Sequence, residues 1–586
     1  MSITLGQYAV VLYPSQLIFS TILGHVIRMK PNLLFQILIL VGLLTVSSCS
    51  ENQDVKCGKN AVLVPGLGDY SRDIGVDSEQ AQQFFDQGLS LTMGYYFPEA
   101  ISSFLEALCY EGDNPMIYWG LALAISPNPN SRKNRVPDDP QGEGAKAIQK
   151  AMGLRKSASK VERGLIETLS VRFDSKTYPN REVRDEAYIN ACRELYKKFP
   201  DDMEVTFLLA DAIMSYRAWA YWDKQGNPLE GVDEVINVLE QSMIIDSLHP
   251  GNNHLYIHLF EASSYPEKAL SQANRLEGLM PKAGHIVHMP GHIYLRLGWY
   301  DSTIAVNERS IAADKYFLEV WGEKPFTNIG TYGLSAQNHS RHASNFIRLS
   351  ASAQGKYKLA IKAARYVAES IPKSGNLSGN LQAKLAAPYF VLKIFGKWDD
   401  ILAEPMPGAE YPYLEGIWRY NRGSALIMNG HVDSAKVELN KIKQLSDAPI
   451  LDTIVFKANP GKVILDLAAT GLEGEILLEE GEVKGAIKMF REAVGKQDQL
   501  KYTEPPDWSN SMRLYLGDAL IQAGEYEEAE QIFIEDLEEF KKNGWALFGL
   551  WKSLELQNKT NEANHTKSRF EQAWKGADME LERARY

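Results

Sequence analysis

Seven of the chain's eleven histidines lie between positions 254 and 342, at His254, His258, His285, His288, His292, His339 and His342. Their spacings are three, four and seven, the separations that stack side chains on one face of a helix. Glu261 falls three after His258 and joins the same face. Imidazoles grouped with a carboxylate are the donor set of Zn, Fe, Cu or Ni sites. We therefore take His254, His258, Glu261, His285, His288 and His292 as candidate metal ligands. Tyr256, Tyr294, Arg296, His339 and His342 are candidate ligand-binding residues beside them. Three uses remain open for the set: a metal site, a metal-free pocket for an organic ligand, or structural hydrogen bonding of buried imidazoles. A metal site with an open position would activate water or polarise a substrate, with Glu261 as ligand or general base. The protease pattern HExxH is absent, because Leu255 follows His254.

Positioning these residues is the task of a helical chain. From Ser78 onward apolar residues recur every three or four positions, and Pro, Gly and Asn collect in short breaks such as Asn128 to Gly144 and Tyr502 to Asp507. Self-similarity sets the architecture. In LGDALIQAGEYEEAEQIF, Gly517 is followed by Gly524, Ala529 and Phe533 at offsets of seven, twelve and sixteen. The same offsets give Gly474, Gly481, Ala486 and Phe490, and Gly423, Gly430, Ala435 and Leu439. Gly88, Ala100 and Phe104 keep the long offsets, with Gly94 one place early. This is the signature of tetratricopeptide repeats, helix-turn-helix units of about 34 residues whose core forms by stacking on neighbours. The expected fold is an all-α tetratricopeptide-repeat solenoid.

The repeat phase also orders the histidines. Gly291 and Gly298 match the first two glycine marks, and Ile257 lies 34 residues before Gly291. His254 and His258 are then in phase with His288 and His292, and His342 is in phase with His285. Three successive first helices would present them toward one concave groove.

Further segments resemble a large family of bacterial tetratricopeptide-repeat proteins in which HxxxH, HxxHMPxHIY and HNxH segments recur. Here they read HLYIH (254–258), HIVHMPGHIY (285–294) and HSRH (339–342), with Ser340 where the family has Asn. The resemblance spans most of the chain and implies no assigned reaction.

The N-terminal region resembles a bacterial lipoprotein signal. Met29-Lys30 starts a short basic stretch, Leu33 to Val46 is apolar, and Val46-Ser47-Ser48 precedes Cys49. The apolar run is shorter than the ~20 residues of a membrane span, which favours cleavage and lipidation at Cys49. Ser50 in place of Asp, with Glu51 and Asp54 close by, implies the outer membrane of a Gram-negative, Bacteroidota-like cell. The expected organisation is an upstream mis-start over 1–28, a signal over 29–48, a flexible tether over 49–75, repeats over 76–314, an inter-repeat insertion over 315–335 that is either a lid over the groove or an irregular helix connection, and repeats over 336–586. The four cysteines show no CxxC pair and no framework spacing, so Cys109 and Cys192 read as small core residues and no disulfide is expected to hold the fold.

A net charge of −12 without any long basic block argues against nucleic acid as a partner. There is no phosphate-binding GxxxxGK[ST] and no GxSxG elbow. The leading expectation is a lipid-anchored repeat protein of the cell envelope that holds a protein, peptide or glycan in its groove. The alternative is a metal-dependent enzyme or metal carrier built on the histidines.

Overall fold

A computed structural model describes residues 57–585, apart from 134–135, 370, 372–376, 454 and 457. The upstream start, the signal and Cys49 lie outside the described residues. Residues 57–586 form one compact unit.

Antiparallel helical pairs succeed one another along it, from Glu79–Met93 with Phe97–Tyr110 to Gly544–Leu556 with Thr560–Ala573. The only strands among the described residues are Val455–Phe456 and Asn459–Pro460, a two-residue antiparallel pair. The chain is an all-α repeat solenoid. Its repeat marks do the packing expected of them. Phe533 is fully buried between the first helices of two successive repeats. A methyl group on Gly517 would stand 2.4 Å from the Phe533 ring, and one on Gly549 2.2 Å from it. Phe104 fills the same groove between Gly88 and Gly120, at 2.9 and 2.4 Å. Ala100, Ala435, Ala486 and Ala529 are wholly buried at the corresponding point of the second helix.

The solenoid curls back on itself. Tyr502 Oη donates to the Glu261 carbonyl at 3.3 Å, Trp545 Nε1 to the Ser352 carbonyl at 2.8 Å, and Asp578 N to the Gly355 carbonyl at 3.1 Å. There is no division near 315–335. Residues up to Trp321 complete the helix Tyr300–Trp321, and the rest crosses the first repeats. There Ser102 Oγ donates to the Pro325 carbonyl at 2.9 Å and Thr331 N to the Ile125 carbonyl at 3.2 Å.

Two expectations are corrected. Where it is described, the stretch read as a tether is packed: Ala61, Val64, Leu67 and Ile74 are buried, and Gln87 bonds both the Val64 N–H and the Val62 carbonyl. These apolar residues follow no helical period, so the segment read as loop. Cys57 and Cys109 form a disulfide, with Cα atoms 5.7 Å apart. Their separation of 52 residues matches no short framework motif, because the pairing arises only when the segment folds back along the helix Phe97–Tyr110. Cys192 is free and buried, as a core residue.

The Phe533 groove has no spare volume. Gly549→Ala should destabilise the protein by about 1–3 kcal/mol through overpacking. Adding Phe533→Leu should cost less than the sum of the two single changes, as a denaturant double-mutant cycle would read.

Candidate metal centre

The helix Pro250–Glu261 carries His254, His258 and Glu261 along one side, and every residue of it is buried. A further buried histidine stands at its start. His249 caps the helix, its Nδ1 accepting from Asn252 N at 3.0 Å. The next first helix is divided at Pro290 into Gly284–His288 and Pro290–Arg296. Proline there lacks the N–H of a continuous helix. His339 and His342 come from Ala336–Ala353.

The seven imidazoles form one continuous cluster, six of them buried and His342 half-buried. Ring centroids are 4.6 Å apart for His254–His258, 5.0 Å for His254–His285 and 5.2 Å for His285–His339. They are 5.2 Å apart for His339–His288, and 4.7 Å for both His288–His292 and His288–His342. Two triads stand out, His254/His258/His285 and His288/His292/His342, with nitrogen atoms within 4.8 Å of one another in each. Donors at ~2.1 Å from a common ion are at most ~4.2 Å apart, so small side-chain adjustments close either triad on a metal. Glu261, His292 and Glu504 make a third such group.

Hydrogen bonds on the outer side decide which nitrogen faces inward. His254 Nδ1 donates to the Met93 carbonyl at 2.6 Å and His285 Nδ1 to the Gly94 carbonyl at 3.0 Å. His339 Nδ1 donates to Asp314 Oδ2 at 2.9 Å. His288 Nδ1 lies 2.6 Å from Asn307 Oδ1, whose amide is oriented by donating to the Thr303 carbonyl at 2.7 Å. Four imidazoles are thereby held as Nδ1–H tautomers with the Nε2 lone pair directed inward, the arrangement that orients histidine on a metal. Nε2 of His254, His258 and His339 is buried and has no hydrogen-bond partner.

Burial, reinforced by the neighbouring imidazoles, pushes His254, His285 and His288 well below the ordinary histidine range. His292 behaves oppositely. Burial pulls it down, but Glu261 and Glu504, with Oε2 atoms 2.6 and 2.5 Å from its Nδ1, lift it to about 9. Its Nε2–H then donates to His288 Nε2 at 2.8 Å. Burial raises Glu261, but the charges of His292 and His258 outweigh it and hold the carboxyl down at about 2.

Tyr95 stacks against His258 and His285, with centroids 5.8 and 5.7 Å away, and has φ of +61°. It takes the left-handed turn position that glycine fills in the regular repeats, which explains why Gly94 falls one place early. A bulky residue in that region costs of order 1–3 kcal/mol and is held by its surroundings.

Beside the imidazoles is a cavity of about 470 Å³, lined by His258, Glu261, His285, His292 and His342 and also by Phe390, Tyr413 and Tyr502. Tyr332, Gly333 and Leu334 of the inter-repeat insertion also line it. Tyr256 and Tyr294, expected at the ligand site, are directed elsewhere: Tyr256 Oη donates to Glu240 at 2.8 Å and Tyr294 Oη to Asn274 at 2.7 Å. Each is two residues past a histidine, about 200° round the helix and so on its opposite side. Arg296 donates to the Ser263 carbonyl at 3.3 Å and lines a smaller neighbouring cavity of about 150 Å³. Glu504, Asp314 and Asn307 were not found from the sequence. Glu504 arrives from the break YTEPPD, 212 residues after His292, and nothing in the local spacing announces it.

No family model matches the sequence, and no curated protein matches it. Among solved structures the chain is similar to the human IFIT1 dimer with m7Gppp-AAAA, at 12% identity over 82% of this chain and 95% of that chain, with a TM-score of 0.31. It is also similar to the Cut9–Hcn1 hetero-tetramer of APC/C, at 11% identity over 85% of this chain and 96% of that chain, with a TM-score of 0.24. At these scores the likeness carries no argument about ligands or activity.

The charge balance around His292 gives a pH signature for the metal-free protein. A folded pKa of about 9 exceeds the unfolded value of ~6.5. The stabilisation from this group is thus complete below pH ~6.5 and is lost as pH rises through about 9. Imidazole NMR should show one histidine titrating near that pH, and Glu504→Gln should lower its midpoint by at least ~1 unit. A wild-type cluster with every histidine titrating below pH ~6.5 would contradict this charge balance.

Proposed function

We propose that this chain is a helical-repeat protein that carries a multinuclear transition-metal centre in its interior and performs metal-assisted chemistry on a small molecule held in the adjoining cavity. One observation carries the reading. Four imidazoles are fixed from outside as Nδ1–H tautomers, so that their unprotonated nitrogens meet inside. His249 also has a buried, unpartnered Nε2, but its ring contacts are with Tyr70 and Phe207 and it joins no such convergence.

His254, His258 and His285 would hold one ion, and His288, His292 and His342 a second. Glu261 and Glu504 lie where they could ligate or bridge, and His339 sits between the triads. A donor set of imidazole and carboxylate without thiolate suits Cu, Fe or Zn. Three protein ligands per ion leave a coordination position open, as catalytic sites do. Metal binding would displace the proton shared by His288 and His292, and burial, which disfavours protonation of His254, His258 and His285, keeps their lone pairs ready. The cavity volume supports a small molecule as the occupant rather than a long peptide or glycan. Nucleic acid is not part of this reading.

The same proposal includes the cell envelope and a lipid on Cys49. No helix among the described residues is long and apolar enough to cross a membrane. The Cys57–Cys109 disulfide supports an oxidising compartment, where such bonds persist.

Reconstitution with Cu, Fe and Zn in turn, followed by elemental analysis of the purified protein, tests the centre. At least one metal should be retained at about two equivalents per chain. His254→Ala/His285→Ala and His288→Ala/His342→Ala should each lose about one equivalent while keeping the wild-type helical circular dichroism. A wild-type protein that holds no metal after all three reconstitutions would overturn the reading.

A further inference from the structure

The helix Ala336–Ala353 continues past the metal side. His339, His342, Asn345 and Arg348 follow one another in steps of three, winding round the helix from the imidazole cluster to the wall of the cavity. Arg348 is only 4% exposed. Its Nε donates to Asn345 Oδ1 at 3.1 Å, and both terminal nitrogens point at a single neutral acceptor, Ser509 Oγ, at 3.2 and 3.3 Å. Among the described residues no carboxylate pairs with it. The acidic residues on the cavity walls are engaged elsewhere: Glu261 and Glu504 face His292, and Asp507 Oδ2 accepts from Asn459 at 2.8 Å.

A buried guanidinium without a counter-charge is costly, because desolvation of the ion is compensated only by a matched partner. Here burial alone brings Arg348 down to about 10. Among the described residues the other buried arginines have a carboxylate close by, as where Arg172 bonds Asp211 at 2.9 Å and Arg132 bonds Asp185 at 2.5 Å. Arg348, Phe390, Tyr502 and Ser509 also line the smaller cavity, so the cation sits where the two spaces adjoin. The fork of two N–H groups sharing one hydroxyl suits the two oxygens of a carboxylate. The aromatic surfaces of Phe390, Tyr413 and Tyr502 suit a flat apolar body.

We propose that the cavity binds an organic carboxylate, with its carboxyl group on the Arg348 guanidinium and an aromatic body lying along Phe390 and Tyr502 toward the imidazole centre. This rests on the reading of the cavity as the approach to a metal centre and names the substrate class for it. Arg348 is assigned as the residue that selects the anion.

The test uses the full protein, with and without bound metal, and benzoate as probe. Benzamide serves as the uncharged analogue and inorganic phosphate as the competing anion. Benzoate should raise the melting temperature and bind in titration calorimetry, while benzamide should bind at least about tenfold more weakly. Arg348→Met keeps the side chain's bulk and removes its charge. It should weaken benzoate by about tenfold or more, leave benzamide and metal content unchanged, and match or exceed the wild type in melting temperature without ligand. Arg348→Lys should recover part of the benzoate affinity. Benzoate binding that survives Arg348→Met but disappears with the metal places the carboxylate on the ions and overturns the proposal. So does phosphate binding as tightly as benzoate, or no benzoate effect in any preparation. Arg348-dependent benzoate binding by a protein that never retains metal would uphold the carboxylate site and overturn the metal centre alone.

Discussion

The controlling constraint is that six imidazoles cannot be buried together without a place for both nitrogens of each ring. An unsatisfied buried polar group costs about 1–3 kcal/mol. This chain supplies acceptors to the outward nitrogens of His254, His285, His288 and His339 from two backbone carbonyls, one amide and one carboxylate. It leaves Nε2 of His254 and His339 without a protein partner, while that of His288 accepts from His292. His249, which caps its own helix through Nδ1, likewise keeps a buried Nε2 without a partner, but it stands apart from the cluster. On the reading proposed above, a bound metal would offset the cost of those unpaired nitrogens.

The solenoid offsets that cost with regularity everywhere else. Phe104 and Phe533 lock successive hairpins through grooves where only glycine fits, at opposite ends of the array. Departures from the repeat gather at the centre: the left-handed Tyr95, the helix break at Pro290, the insertion that brings Tyr332 to the cavity and the turn that delivers Glu504. Local consistency across the scaffold with violations confined to one place is how a strained functional site is carried by a stable fold.

That division also explains what could be read from the sequence. Repeat phase is a property of one helix and its neighbour, so it put His254, His258, His285, His288, His292 and His342 on one side before any coordinates. Tyr256 and Tyr294 were placed by proximity in sequence, which ignores that two residues along a helix face nearly opposite ways. Glu504 and the Cys57–Cys109 pair depend on the chain closing over 212 and 52 residues, and closure is set by the accumulated angle of many hairpins. No local spacing encodes that angle. Asp314 and Asn307 were legible only in part: they sit on the second helix of the His288 repeat, and a search for outward acceptors to each candidate histidine would have found their residue types.

Curling is what turns a groove into a chamber. An open tetratricopeptide array offers a concave surface whose end repeats are the most easily loosened. Here both ends are tied inward. The 57–75 segment is stapled to the first repeat by the disulfide and by Gln87, and the last helix sets Trp574 against Gly355 and Gly544. The repeat bearing Met93, Gly94 and Tyr95 is thus held against the histidines of a repeat some 160 residues later, as the Met93–His254 bond shows with its separation of 161. Positioning imidazoles to within a few tenths of an ångström demands that rigidity, because ligand bonds tolerate little error. A partner-binding groove would gain from flexible end repeats, whereas a metal chamber would be spoiled by them; the restraint of both ends of the described array is a feature that the chamber reading requires and the groove reading does not.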